Sequence, residues 1–416
     1  MNRSIKIFFI ILLFFISIII SGCWSRIEVE NLAIASAIGI DKVKGDPGKI
    51  LFSVSVLKPP KTGGGGGTGG MEGGSNGQIP GWVNFGQGNS VEDARRNLAT
   101  TTAKRLFLGH SRIIVFGKEK AQEGIEDTLD FLSRNEGIRL RNWVLVASEG
   151  TALDTFSIQP ELTSILAEEI TDLLTLSAPR ASKSYAVALK DFMVDLTTKG
   201  KEAVLPLLEI REISPDAIGE SQGNGSSQPK KIARLKGVAV FKGDKMVGEL
   251  GDTETKGFLW IIGKVKKGIL TFEVENSETK KPVKVTVEMT RSNSKIEAKI
   301  IQGKPVAIVR IDTEGNIDEF SKTGTEITPK FIELVDQGYE EAIRKEVMLA
   351  LNKCQQELES DIFGLGTHFH RQQLKYWKEN NLDERWPEVF PDVQVQVEVT
   401  ANVRRTGLTS DSIVVK

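Results

Sequence analysis

Thr328-Pro-Lys-Phe331-Ile-Glu-Leu-Val335-Asp-Gln-Gly-Tyr339-Glu-Glu-Ala-Ile343-Arg-Lys-Glu-Val347-Met-Leu-Ala-Leu351-Asn-Lys-Cys354-Gln-Gln-Glu-Leu358 holds the longest periodic pattern in the chain. Phe331, Val335, Tyr339, Ile343, Val347, Leu351, Cys354 and Leu358 recur every three or four residues, which gathers them into one stripe of an α-helix. Thr328 and Pro329 mark its start, since proline fits the first helical turn. Cys354 lies on the stripe and reads as a buried, inert thiol. Alternating segments flank the helix: Gly268–Val274, Val283–Met289, Ile296–Ile301 and Val306–Ile311 before it, Val393–Val403 after it. These predict strands.

Toward the N-terminus, Ala233–Phe241 and Lys245–Leu250 read as a hairpin turning at Gly243-Asp244, and Asp252 caps a short helix carrying Phe258, Leu259 and Ile262. Leu32–Ile40 and Ile50–Leu57 read as strands, the second stopped by Pro59-Pro60. Ser90-Val-Glu-Asp93 resembles a capping box opening a helix through about Phe107. Ser111–Phe116 and Arg141–Ala147 are strands, Lys118–Arg134 a helix, and Glu161–Leu176 and Tyr185–Leu196 are helix-compatible. Helices and strands mix without strict alternation, which predicts a multi-domain α+β protein with mixed β-sheets flanked by helices. The expected division is 1–22, 24–213, a β-rich region 231–290, and a C-terminal α/β domain 291–412 containing the long helix. The polar stretch Ser214–Lys230 is the best boundary. Many of the 40 glycines fall in Lys61–Gly88, including Gly63–Gly67 in succession, and this segment reads as a flexible surface loop. No Gly-Lys-Ser/Thr follows it, so a phosphate cradle is disfavoured.

At 416 residues, 40% hydrophobic and 26% charged, the chain has globular composition. A net charge of −1 gives little support to nucleic-acid binding by bulk phosphate neutralisation. Three His and two Cys leave little room for a metal site or a disulfide scaffold, and no cofactor is expected.

The first residues decide the compartment. Arg3 and Lys6 precede an apolar run from Ile7 to Ile20, interrupted only by Ser17. As a helix the run spans about 21 Å, short of the ~30 Å hydrocarbon core, which fits a signal peptide rather than a spanning helix. Ile20-Ser21-Gly22-Cys23 resembles the bacterial lipobox, in which the cysteine thiol receives a diacylglyceryl group and cleavage occurs just before it. Residues 1–22 are then a lipoprotein signal peptide and Cys23 the lipid-attachment site, tethering the chain to the bilayer. Cys354 would be the only other thiol.

Candidate catalytic patterns fail on context. Ser55-Val-Leu-Lys58, Ser133-Arg-Asn135 and Lys322-Thr-Gly324 resemble elements of penicillin-binding enzymes, but Ser55 falls in a strand where that chemistry needs a helix start. Ser111 in Gly109-His110-Ser111-Arg112-Ile113 enters a strand rather than leaving one. His368 and His370, two apart, read as solvated or locally hydrogen-bonded. Lys264, Lys266 and Lys267 form a basic edge, with a weak contact to anionic headgroups as the sharper reading. Tyr376 and Trp377 read as packing against the body.

Several short segments, in order, resemble the Ger(x)C family of spore germination lipoproteins. They are Gly22-Cys23-Trp24-Ser-Arg26 with Leu32-Ala-Ile-Ala35, Gly39-Ile-Asp-Lys42, Leu106-Phe-Leu-Gly-His110, Arg139–Ala147, Gly237-Val-Ala-Val-Phe241, Glu254-Thr-Lys-Gly-Phe-Leu-Trp260, Ser360-Asp-Ile-Phe-Gly-Leu-Gly366 and Arg404-Arg-Thr-Gly407. The resemblance implies a non-enzymatic C subunit of a nutrient germinant receptor on the outer face of the spore inner membrane. Its partners would be two integral-membrane germinant receptor subunits, A-type and B-type. The alternative is an extracytoplasmic solute-binding lipoprotein of a transporter, which shares the signal and the size.

Overall fold

Strands buried on both faces read as continuous apolar runs, and Ile113-Ile-Val-Phe116 and Val144-Leu-Val-Ala147 are such runs. The computed structural model describes residues 28–57, 81–213, 229–275, 280–320 and 328–405, together with Ile5, Ile7, Phe8 and Ile10. The first half contains β1 (Leu32–Val43), β2 (Asp46–Leu57), β3 (Gly81–Gly88), α1 (Val91–Leu98), β4 (Arg105–Phe107), β5 (Ile113–Phe116), α2 (Lys118–Glu123), α3 (Glu126–Arg134), β6 (Trp143–Ala147), α4 (Ala152–Thr155), α5 (Leu166–Asp172), α6 (Ala178–Ala181), α7 (Leu189–Thr197) and β7 (Val204–Ile213). The second half continues with β8 (Lys230–Lys242), β9 (Lys245–Leu250), α8 (Asp252–Ile261), β10 (Ile269–Glu275), β11 (Pro282–Ile301), β12 (Lys304–Phe320), α9 (Pro329–Asn352), α10 (Leu365–Gln372), α11 (Leu374–Glu379), α12 (Leu382–Val389) and β13 (Gln394–Arg405).

The expected α+β class holds: two mixed sheets carry the fold. The first runs β3-β2-β1-β5-β6-β7-β8-β9, with β4 added alongside β1. Its centre, β1, β5, β6 and β7, is parallel, and β2, β3, β8 and β9 are antiparallel to their neighbours. Side chains alternate across it. Ile114, Phe116, Val144 and Val146 join one core beneath α1, α3 and α7, while Ile113, Val115, Leu145 and Ala147 join another with α4 and α5. The second sheet runs β10-β11-β12-β13, antiparallel except for the parallel pair β12 and β13.

The long helix is where its stripe puts it. α9 starts after Thr328, whose hydroxyl accepts the Phe331 amide at 3.2 Å, and Phe331, Val335, Tyr339, Ile343, Val347 and Leu351 are buried against the second sheet. Tyr339 stacks on Phe272 of β10 with centroids 6.0 Å apart. The other flank of α9 meets α8, and one core runs from the second sheet through α8 to Val238, Val240 and Leu250 of the first. The side of α9 facing β13 carries carboxylates to a sheet edge: Glu340 and Asp336 accept the Ala401 and Val403 amides at 3.2 and 2.7 Å.

Local expectations shift in identifiable places. The helix expected from Ser90 to about Phe107 ends at Leu98, because the hydroxyls of Thr100, Thr101 and Thr102 turn back onto the Asn97 and Leu98 carbonyls. Arg105–Phe107 then forms β4, parallel to Leu32–Ile34. Lys118–Arg134 is two helices, broken at Gly124 with φ of 130°. The expected loop 61–88 ends in an ordered strand, β3. Gly86 and Gly88 there let α1 approach so closely that a Cβ on either would strike the helix backbone at Ala94. The separate strands expected at 283–289 and 296–301 are one continuous strand, β11, with register shifts near Met289. The expected helix 161–176 starts only at Leu166. The stretch 231–290 divides between the sheets: β8 pairs with β7 along Val204–Ile213, whereas β10 and β11 belong to the second sheet. The boundary expected at 214–230 lies almost wholly outside the described residues, as does Lys61–Pro80.

Gly257 is the point of closest approach between α8 and α9. A Cβ there would run into the Glu346 carbonyl and stand 3.0 Å from the Ala350 Cβ. Gly257→Ala is therefore expected to destabilise the chain by ~1–3 kcal/mol, measured as a lowered urea midpoint with an unchanged m-value.

Candidate functional site: the cleft at the sheet junction

Cys23, the one site residue expected from sequence, lies outside the described residues, and so do Lys58 and Lys322–Gly324. Ser55 is buried within β2, Ser133 lies near the end of α3, and the three elements of that pattern form no described cluster. Ser111 is buried, donating to the Leu108 carbonyl at 2.7 Å and accepting the Asn142 side-chain amide at 2.7 Å. Its hydroxyl is committed to holding the loop before β5. His370 meets Trp377 edge-on with ring centroids 5.4 Å apart, and no group of three or more His, Cys, Asp or Glu able to hold a metal occurs among the described residues. Cys354 is fully buried, and burial pushes its thiol far above the ordinary range. Trp377 is buried with its indole donating to Asp383 at 3.0 Å, while the Tyr376 hydroxyl donates to the Gly303 carbonyl at 3.1 Å.

The segment Ser360–Gly366 builds a junction between the two sheets. Asp361 is buried and accepts the amides of Leu365 at 3.1 Å and Gly366 at 2.8 Å, and the indole N–H of Trp386 at 2.9 Å. Ser360 donates to the Phe241 carbonyl of β8 at 2.6 Å, and the Glu202 amide donates to the Asp361 carbonyl at 2.8 Å. These bonds seat Gly366 directly on Gly200. A Cβ on Gly366 would come within 2.6 Å of the Gly200 Cα, and Gly200 itself has φ of +74°. Neither position tolerates a side chain.

A second buried cluster joins α8 to α9. Trp260 donates its indole N–H to Glu346 at 2.9 Å; Lys256 lies 3.5 Å from the same carboxylate and donates to the Ile269 carbonyl at 2.8 Å. Burial pushes Lys256 down and Glu346 up, and each opposes the other's shift through its charge. Outside it, Lys353 bridges to Glu254, which also accepts the Gly251 amide at the start of α8.

Between the sheets these elements leave a cleft of about 600 Å³. Its walls come from the end of α7 and the 198–204 connection, the end of α8, β11 near 294–296, and 362–372. Phe258, Ile261, Ile262, Ile296 and Phe363 supply an apolar surface; Lys201, Lys264, Lys295 and Arg371 supply cations, and Asp195 and Glu202 carboxylates. Burial pushes the Glu202 carboxyl up. Burial and the neighbouring Arg371 hold His368 below its ordinary pKa, so the ring is neutral at pH 7. The arrangement suits recognition of a small polar-apolar molecule. Its walls come from segments nearly 190 residues apart in sequence, so no local pattern could have announced it; the Lys264 cluster, His368 and Ser360–Gly366 were its traces in the chain.

Residues 25–210 match the family described as Spore germination protein N-terminal domain, and residues 236–407 the family described as Spore germination B3/GerAC like, C-terminal. The chain belongs to the GerAC-like spore germination family. Relatives run along its whole length. Spore germination protein KC of Bacillus subtilis (strain 168) is 25% identical over 95% of both chains, and spore germination protein B3 of that strain is 22% identical over 95% of this chain and 96% of its own. Putative spore germination protein YfkR of the same strain is 24% identical over 96% of both. The crystal structure of the GerBC protein aligns with a TM-score of 0.53 at 17% identity, covering 88% of this chain and 96% of that one, and so shares the fold. In this GerAC-like chain, Glu254–Trp260 lines the α8–α9 contact, and Phe241 and Ser360–Gly366 meet at the Asp361 junction.

Burial raises the Asp361 carboxyl from its ordinary 3.8 to about 6, outweighing the hydrogen bonds from the Gly366, Leu365 and Gly364 amides and the Trp386 indole. The folded chain therefore holds a proton there between pH 4 and 6 that the unfolded chain releases. The stabilisation is full below about pH 4 and is lost as pH rises through about 6, amounting to ~3 kcal/mol. Asp361→Asn removes this dependence: the difference in unfolding free energy, wild type minus variant, is expected to fall by about that amount from pH 4 to pH 7 in urea melts.

Proposed function

We propose that the chain is a lipid-anchored, non-enzymatic subunit of a spore nutrient germinant receptor, held by acylated Cys23 at the outer face of the spore inner membrane. It would act beside A-type and B-type integral-membrane subunits. The observation that carries this reading is the match to both germination families from residue 25 to residue 407, beginning directly after the lipobox-like Ile20–Cys23. The names of the relatives place them in spore germination.

Physical points support the anchor. No helix among the described residues is long and apolar enough to cross a membrane. Each buried methylene contributes about 0.8 kcal/mol, and two acyl chains together hold a protein stably at a bilayer. Only residues 24–27 separate Cys23 from Glu28, which lies four residues before β1. At ~3.6 Å per residue that segment would keep Glu28 within ~18 Å, and the start of β1 within ~32 Å, of the acylated cysteine. The parallel strands β5, β6 and β7 run in the same direction as β1, so the end of the sheet at which they begin would lie on the membrane side.

Palmitate labelling and the size of the Cys23→Ala chain test the anchor: the variant is expected to be unlabelled and uncleaved. Deleting the gene in a strain without related receptors is expected to leave spore yield intact while abolishing the nutrient response. Normal nutrient-triggered germination in that strain would overturn the receptor assignment.

A further inference from the structure

The charges around the junction cleft do not balance. Lys201 is held by Asp195 at 2.6 Å, and Lys295 by Glu297 at 3.2 Å. Glu202 accepts the Gly243 amide at 2.8 Å. Lys264 and Arg371 are left with no carboxylate in ion-pair range among the described residues. The nearest recorded partner of Arg371 is His368 Nδ1, at 3.2 Å. A guanidinium only donates, so Nδ1 accepts, which places the ring proton of the neutral imidazole on Nε2 as a further donor. Beside these cations lies the apolar surface of Phe258, Ile261, Ile262 and Phe363.

We infer that the junction cleft binds a small organic anion with a compact apolar body, its acid group taken by Lys264 and Arg371 and its body laid on Phe258, Ile262 and Phe363. The volume, about 600 Å³, lies in the range of small-molecule sites. Two unpaired cations at an apolar wall favour a carboxylate over its neutral analogue, because charge-assisted hydrogen bonds are about twice as strong as neutral ones. The site is shared by both halves of the chain: Lys201 and Tyr185 come from the first, Lys264 and Arg371 from the second. An occupant would therefore bridge them. This inference concerns the cleft alone and stands independently of the lipid anchor.

The test uses the full chain in phosphatidylcholine nanodiscs, with 3-phenylpropionate as probe and 3-phenylpropanol as its uncharged counterpart. Saturation-transfer difference NMR is expected to show saturable binding of the acid, with the alcohol about tenfold weaker or more. Arg371→Gln and Lys264→Gln are each expected to weaken the acid about tenfold while leaving the alcohol unchanged. Both side chains are at the surface, and thermal melts confirm that each variant is folded; if one is not, the other decides. No saturable binding of the acid, equal binding of acid and alcohol, or acid binding untouched in a folded variant would each overturn the inference.

Discussion

A carboxylate withdrawn from water must be surrounded by donors or it disrupts the fold around it. Asp361 is answered by two amides of its own turn and by one indole, and that requirement sets the path of the chain from Ser360 to Gly366. The turn passes through Gly364 at φ of +72°, and α10 begins immediately after it. Because the start of α10 is fixed, Gly366 rests on Gly200, and Thr367, His368 and Arg371 project from known places on one helix. The bonds from Ser360 to Phe241 and from Glu202 to Asp361 then carry the same constraint into the first sheet. Around this carboxylate the aromatic rings of Phe369, Trp386 and Trp377 pack at centroid distances of 5.4 and 5.3 Å, keeping the region dry.

The second tie is apolar in area and polar in its centre. α8 is buried almost all round, lying between β8 and α9, so it cannot be peeled from one sheet without exposing surface on the other. Inside that contact Trp260, Glu346 and Lys256 satisfy one another, and removing any single member would strand a buried polar group. The two sheets thus behave as one packed unit.

Much of this was legible in the chain itself, and the reasons differ by element. The stripe from Phe331 to Leu351 gave away α9 because a helix lying on a sheet buries one face only, and period 3.6 survives in the sequence. The strands β5 and β6 were legible as short apolar runs bounded by polar turns. What escaped reading was set by contacts made at a distance. β4 forms because Leu32–Ile34 offers it a partner, not because Arg105–Phe107 has strong strand character. β3 emerges from a glycine-rich segment because α1 needs glycine beneath it. The cleft escaped for the same reason: Asp195, Lys264 and Arg371 belong to different elements, and only the tertiary packing of α8 and of the Ser360–Gly366 junction brings them together.

Sheet margins are where folded proteins recruit unwanted copies of themselves, since open amides pair with any extended chain. At the outer side of β13, Glu340 and Asp336 occupy the hydrogen-bonding positions of Ala401 and Val403 with negative charge. An approaching strand would have to displace two carboxylates from their amides and bring its own carbonyls up to them. That margin of β13 is therefore closed to extension by a strand from a second copy.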